Sequence, residues 1–250
     1  NVVRAGSVSP ELDEEIVTTE LILADLAILD KRFTQEERLS RNSKESAQKV
    51  KVYQKLLECL NSGKLPSSLT LDEKELDLAK ELQLITMKPV LYVYNVSEEA
   101  FLNQQGEKTL GGVFLKRPNS VCVCAKLEAE LANFSDEEAR LYMQELGMQE
   151  SGLDKIIRKS YEILGLQTFF TYGLKEVHAW TIKKGSTAPQ AAGKIHSDFE
   201  RGFIAVQAVS VENLVKIGGW KNAREKGLIR SEGKGYIMQE GDVVEFKFSV

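Results

Sequence analysis

"LYVYNVSEEAF" (residues 91–101) is an apolar run, rich in β-branched and aromatic residues, that stops abruptly at a polar loop. The run reads as a buried strand, and the loop after it carries Asn95 and, three residues on, Glu98. A second apolar run, "SVCVCA" (120–125), repeats the pattern and passes into the helix-forming "KLEAEL". "SDEEARLYMQEL" (135–146) opens with a Ser cap and first-turn acids and predicts a further helix. "GLDKIIRKSYEILG" (152–165) predicts another, with Leu153, Ile156, Ile157, Tyr161 and Leu164 on one face. Strands alternating with helices imply an α/β fold with a parallel sheet.

Upstream of the strand the period changes to helical. Residues 11–41 read as one long helix started by Ser9-Pro10-Glu11, with Val17, Leu21, Ala24 and Ile28 as a heptad seam. After the polar "RLSRNSKES" (38–46) a second stripe, Val50, Tyr53, Leu57 and Leu60, predicts the other arm of an antiparallel hairpin. "NSGKLPSSLT" (61–70) breaks the helix, and a short helix at 72–81 leads into "LITMKPVLYVYNV" (84–96), read as a strand. A Gln- and Gly-rich loop is expected at 103–112.

The texture changes again after Gly165. "KEVHAWTI" (175–182) and "IAVQAVSV" (204–211) read as strands, and "STAPQAAGKIHSDFERGF" (186–203) as one capped helix. "YIMQEGDVVEFKFSV" (236–250) reads as a hairpin about Glu240-Gly241-Asp242. A small mixed sheet crossed by one main helix is the simplest assembly, and roughly 80 residues suffice for such a domain.

Composition narrows the function classes. The chain has 250 residues, 42% hydrophobic and 28% charged, which suits a globular protein with more than one core. Its apolar runs fall short of the roughly 20 residues needed to span a bilayer, and its first residues lack a basic-then-apolar leader pattern. Cys59, Cys122 and Cys124 form neither a disulfide framework nor a zinc spacing, and read as reduced thiols of a cytoplasmic protein. Net charge is −4, yet residues 167–250 carry 12 Lys+Arg against 9 Asp+Glu, so the acidic excess lies in residues 1–166. The C-terminal third is the basic part of an acidic protein.

Several stretches together resemble one family. The run from "MQELGMQESGLDK" (143–155) to "HSDFERGFI" (196–204) is similar to the C-terminal half of the YchF/Obg-like ATPases, a branch of the P-loop GTPase superfamily. "NVSE" (95–98), "CAKLEAEL" (124–131) and "EGDVVEFKFSV" (240–250) fit the same family in the same order. The resemblance implies half of a nucleotide-binding α/β domain (1–15 and 86–165), an inserted helical hairpin (16–85) and a C-terminal β-grasp TGS domain (167–250). It also implies a cytoplasmic, ribosome-associated switch that binds and slowly hydrolyses ATP. No G-x-x-x-x-G-K-[ST] occurs in the 250 residues. The family places that phosphate loop and its magnesium ligands ahead of the hairpin, so the chain is expected to be part of a longer protein and inactive alone.

The resemblance assigns the nucleotide base to Asn95, Val96 and Glu98, with Cys124, Ala125 and Lys126 completing the pocket. Related GTPases carry lysine and aspartate where this chain has Val96 and Glu98. The aspartate accepts hydrogen bonds from the ring N–H and amino group of guanine. Adenine offers an acceptor at that ring nitrogen, and a longer glutamate sits out of register with guanine. Both changes favour ATP over GTP, since a site built for one base leaves a buried group unpaired with the other. Backbone N–H groups at Ala125 and Lys126 would meet the base edge. The plainer alternative for both loops is a pair of strand-to-helix turns.

Other groups offer less. His178 and His196 lack partners at metal-ligand spacing, and the "SDEEAR" acids read as a solvated helix start. "GGWKNAREKGLIRSEGKG" (218–235) places Lys221, Arg224, Lys226 and Arg230 close together in sequence. These form either a solvated face or a modest RNA-phosphate footprint without interleaved aromatics for stacking. Ribosome or RNA contact through this domain is the expected partnership, with no membrane partner and no DNA specificity. The competing class is a non-enzymatic RNA- or ribosome-binding adaptor.

Overall fold

A computed structural model describes residues 9–102, 117, 119–173 and 176–249, and the chain divides into two compact units at Gln149/Glu150. The Gln- and Gly-rich loop expected at 103–112 lies outside the described residues.

The N-terminal unit begins with helix α1 (Pro10–Leu39), started by the Ser9 cap and Pro10. After a turn at 40–43, α2 (Lys44–Asn61) packs beside α1 over a core of Ile22, Leu29, Val52, Tyr53, Leu56, Leu60 and Leu84. The face of α1 that packs is not the expected seam. Val17, Ala24 and Ile28 are exposed, whereas Ile22, Asp25 and Leu29 are buried. The reason is Asp25. A carboxylate at a core position interrupts the apolar period of the true face, so the fully apolar phase one residue away fits the pattern better. Asp25 accepts N–H bonds from Ile85 (3.0 Å) and Thr86 (2.7 Å) and so pins mid-α1 to the chain after α3 (Glu73–Lys80).

That pin also shortens the expected strand. Residues 85–87 form a 3-10 turn, Pro89 contributes no N–H, and strand β1 spans only Tyr92–Asn95. Helix α4 (Glu98–Leu102) follows. Strand β2 (Ser120–Val123) then pairs with β1 in parallel, Tyr92 opposite Ser120 and Asn95 opposite Val123. Helices α5 (Ala125–Leu131) and α6 (Asp136–Glu145) come next, the latter closed by a Ser135/Glu138 capping box.

The C-terminal unit starts with α7 (Gly152–Leu164), which ends at left-handed Gly165 and runs into strand β3 (Leu166–Tyr172). The sequence reading drew its boundary after residue 165, whereas α7 groups with the C-terminal sheet: Tyr161 Oη lies 2.9 Å from Thr181 Oγ1. Leu153, Ile157 and Leu164 on its apolar face remain exposed. Strands β4 (Val177–Lys183), β5 (Phe203–Ser210), β6 (Arg230–Glu232) and β7 (Asp242–Phe248) complete a sheet of order β4-β3-β7-β5-β6. The β3–β7 pairing is parallel and the others antiparallel. One face buries α8 (Ala188–Ile195) through Ala188, Ala191 and Ala192 against Phe169, Val206 and Val244. The other face carries α10 (Val211–Ile217) and α11 (Trp220–Glu225).

Two expectations fail in this unit. The helix expected at 186–203 breaks at His196, whose backbone is extended and whose Nδ1 accepts the Asp198 N–H, capping a separate short α9 (Ser197–Arg201). The hairpin about 240–242 does not form. Tyr236 O and Met238 N bond instead to Ala188 and Ser186, and β7 inserts between β3 and β5. The Asp242 carboxylate fixes this exchange by accepting from Gln239 N and Tyr236 Oη.

Candidate functional site

Because β1 and β2 are parallel, their carboxyl ends open on the same side, where α/β sheets bind ligands. Val96 N donates to Val123 O at 2.9 Å and carries the ladder one residue past β1. The two following loops are thereby set side by side. Asn95 Oδ1 accepts the Ala125 N–H at 2.9 Å, and Lys126 Nζ reaches Glu98 Oε2 at 2.6 Å. All six residues expected at the base site come together here. Asn95, Val96, Ser97, Glu98, Cys124 and Lys126 line a cavity of about 550 Å³.

The Ala125 N–H, expected to meet a base edge, donates in this structure to Asn95 Oδ1. The α5 N-terminus has no capping side-chain hydrogen bond from Cys124. With Oδ1 engaged by Ala125, the Asn95 side chain keeps its amide NH₂ as a further donor. Glu98 sits in the first turn of α4, and its carboxylate holds the Lys126 ammonium above the ordinary lysine pKa, with Glu130 adding to the effect. Both groups are solvent-accessible, so the pair is a weakly stabilising surface ion pair. Cys124, like Cys59 and Cys122, is buried and takes part in no disulfide.

A larger cavity of about 680 Å³ lies along α1, lined by Glu11, Glu14, Ile22, Leu26, Leu60 and Arg117, with Arg117 paired to Glu14. It contains none of the residues that the sequence pointed to. Among the described residues no His/Cys/Asp/Glu group has the geometry to hold a metal ion, and no helix is long and apolar enough to cross a membrane.

In the C-terminal unit the four expected RNA contacts separate into two kinds. Arg230 donates to buried Asp242 (3.2 Å) and to Tyr236 Oη (2.9 Å), and Arg224 donates to Gln207 Oε1 (3.1 Å) near Glu245. These arginines brace the sheet. Lys221 and Lys226 are exposed on and beside α11. The residues that sequence reasoning missed are Asp25, Asp242 and the pairing of Tyr172 with Trp220, whose rings lie 10° from parallel. A lone charge inside an apolar stripe was the available signal for Asp25.

The family model YchF-GTPase_C, described as a protein of unknown function (DUF933), matches residues 166–249. The chain is 43% identical over 251 residues to the ribosome-binding ATPase YchF of Bacillus subtilis, covering 98% of this chain and 69% of that protein. It is 41% identical over 248 residues to the protein of the same name from Escherichia coli O157:H7, covering 98% and 68%. The YchF GTPase structure of Schizosaccharomyces pombe superposes with a TM-score of 0.83 at 30% identity, over 99% of this chain and 68% of that one. With this identity along nearly its whole length, and the same fold, the chain belongs to the YchF family.

Proposed function

We propose that this chain supplies the base-recognising loops and the C-terminal module of a ribosome-associated ATPase switch. The observation that carries the reading is the convergence of Asn95, Val96, Glu98, Cys124, Ala125 and Lys126 at the carboxyl ends of two parallel strands. Relatives named as ribosome-binding ATPases support both halves of it. Adenine enters between the Asn95–Glu98 loop and the α5 N-terminus. The Asn95 amide donates to a ring nitrogen, and the adenine amino group opens the Glu98–Lys126 ion pair by donating to the carboxylate. Val96 covers the base with apolar surface in place of a lysine stem.

ATP would bring its phosphates and Mg²⁺ to a phosphate loop, which these 250 residues do not contain. The five-stranded sheet, with its parallel β3–β7 pair and α8 packed on one face, supports a β-grasp, TGS-like module for residues 167–250. Residues 1–15 and 86–149 then belong to the nucleotide-binding half and 16–85 to an inserted coiled-coil hairpin, while α7 packs with the C-terminal unit. A cytoplasmic location follows from the ribosomal partnership. The test is competition between ATP and GTP on a polypeptide that carries this chain behind a phosphate loop. Tighter ATP binding supports the reading, and equal or tighter GTP binding rejects it.

A further inference from the structure

The basic domain carries an aromatic surface that its sequence does not advertise, because Tyr172 and Trp220 are 48 positions apart along the chain. Tyr172 ends β3 opposite the exposed Val177. Its ring lies 10° from parallel to that of Trp220, with centroids 6.3 Å apart. Trp220 is held from beneath, packed against the cluster of Val209, Ala223 and Val243. Tyr172 is therefore the outer member of an anchored pair, and it is 44% exposed. Lys221 follows Trp220 directly and Lys216 lies on the preceding helix; both are exposed, and neither forms an ion pair among the described residues.

An anchored, half-exposed aromatic face beside exposed cations is what an unpaired nucleobase and its phosphates require. A second aromatic stack among the described residues, Phe199 on Phe248, has its Phe199 on the short helix with Glu200, whose charge would repel a phosphate, and with Asp198, already paired to Arg201. We propose that Tyr172, backed by Trp220 and flanked by Lys216 and Lys221, is a stacking site for an unpaired RNA base. The inference rests on the ribosome-associated reading above and names the contact through which RNA is held. It amends the sequence-based view of a purely electrostatic footprint.

The test is fluorescence anisotropy of the 250-residue chain with a short labelled oligoadenylate and, separately, with a labelled RNA duplex. Tyr172→Ala should weaken oligoadenylate binding about tenfold, the value of one base stack. Tyr172→Phe should keep affinity within about twofold, and Tyr172→Leu, which retains apolar bulk, should lose nearly as much as alanine. Duplex affinity and the salt slope should stay unchanged in all three. Equal affinity across the series, equal losses on duplex and single strand, or no RNA binding by the parent would each overturn the proposal. Base selectivity at Asn95 and Glu98 is read by nucleotide competition and does not involve Tyr172, so the two readings fail separately.

Discussion

Asp25→Ala deletes a carboxylate that is fully buried in the N-terminal unit and accepts two backbone N–H bonds. The Thr86 N–H, at 2.7 Å, is buried, and orphaning it costs about 2–3 kcal/mol. The Ile85 N–H, at 3.0 Å, is only partly buried and recovers some water, so its loss costs about 1 kcal/mol. Against these stands the relief of no longer desolvating a carboxylate, most of which its two backbone hydrogen bonds already offset in the parent. The net destabilisation is about 3 kcal/mol. With a urea slope of about 1.5–2 kcal/mol/M, the midpoint should fall by about 1–2 M. Asp25→Asn keeps one acceptor and should fall by about half as much. Both tryptophans, Trp180 and Trp220, lie in the C-terminal unit, so far-UV dichroism is the probe for the hairpin and fluorescence the probe for the sheet. A dichroism midpoint lowered by less than about 0.3 M, or a shift confined to fluorescence, would refute the pin.

Tyr236 should titrate late. Burial and its hydrogen bond to Asp242 push its pKa up to about 12, so the stability it contributes is complete below the free tyrosine value and is lost as pH rises through 12. Spectroscopic titration should show a late phenol phase that Tyr236→Phe reduces; an identical titration in the variant would contradict the network. Lys221→Ser with Lys226→Ser should flatten the salt dependence of RNA binding by about 1.5 in the log–log slope without moving the melting transition; parallel slopes would make both lysines solvent-facing bystanders. Arg230→Ser, by contrast, should lower stability by about 1–2 kcal/mol, because Asp242 keeps its bonds to Tyr236 and Gln239 but loses its charged partner. An unchanged melting temperature would return Arg230 to the RNA face. The 250 residues alone should turn over neither ATP nor GTP, since nothing in them positions the transferred phosphoryl group; turnover above a buffer blank would contradict this.

Local chemistry made much of the fold legible. The Ser9-Pro10 and Ser135/Glu138 starts announce α1 and α6 because caps act on neighbouring residues, and the sequence carries them in full. The two loops after β1 and β2 were legible for the same reason, each being a strand end with its polar residues attached. What sequence reading misplaced depends on partners far along the chain. The burial of Asp25 makes sense only beside Ile85 and Thr86, 60 residues away. β7 reads as half of a hairpin until β3 supplies a parallel edge for it. Likewise Arg224 and Arg230 look free in sequence, and only folding brings Gln207 and Asp242 to them.

The claim that matters most is that the loop from Asn95 to Glu98 reads adenine. It is tested by titrating ATP and GTP against the parent and against Val96→Lys/Glu98→Asp, in a polypeptide carrying this chain behind a phosphate loop. The double variant restores the lysine stem and the in-register carboxylate of a guanine site, and each regained charge-assisted bond contributes about 1.5–3 kcal/mol. The ATP:GTP affinity ratio should therefore shift toward GTP by at least about tenfold. An unchanged ratio, with both proteins folded and binding nucleotide, would contradict the assignment of this loop to the base.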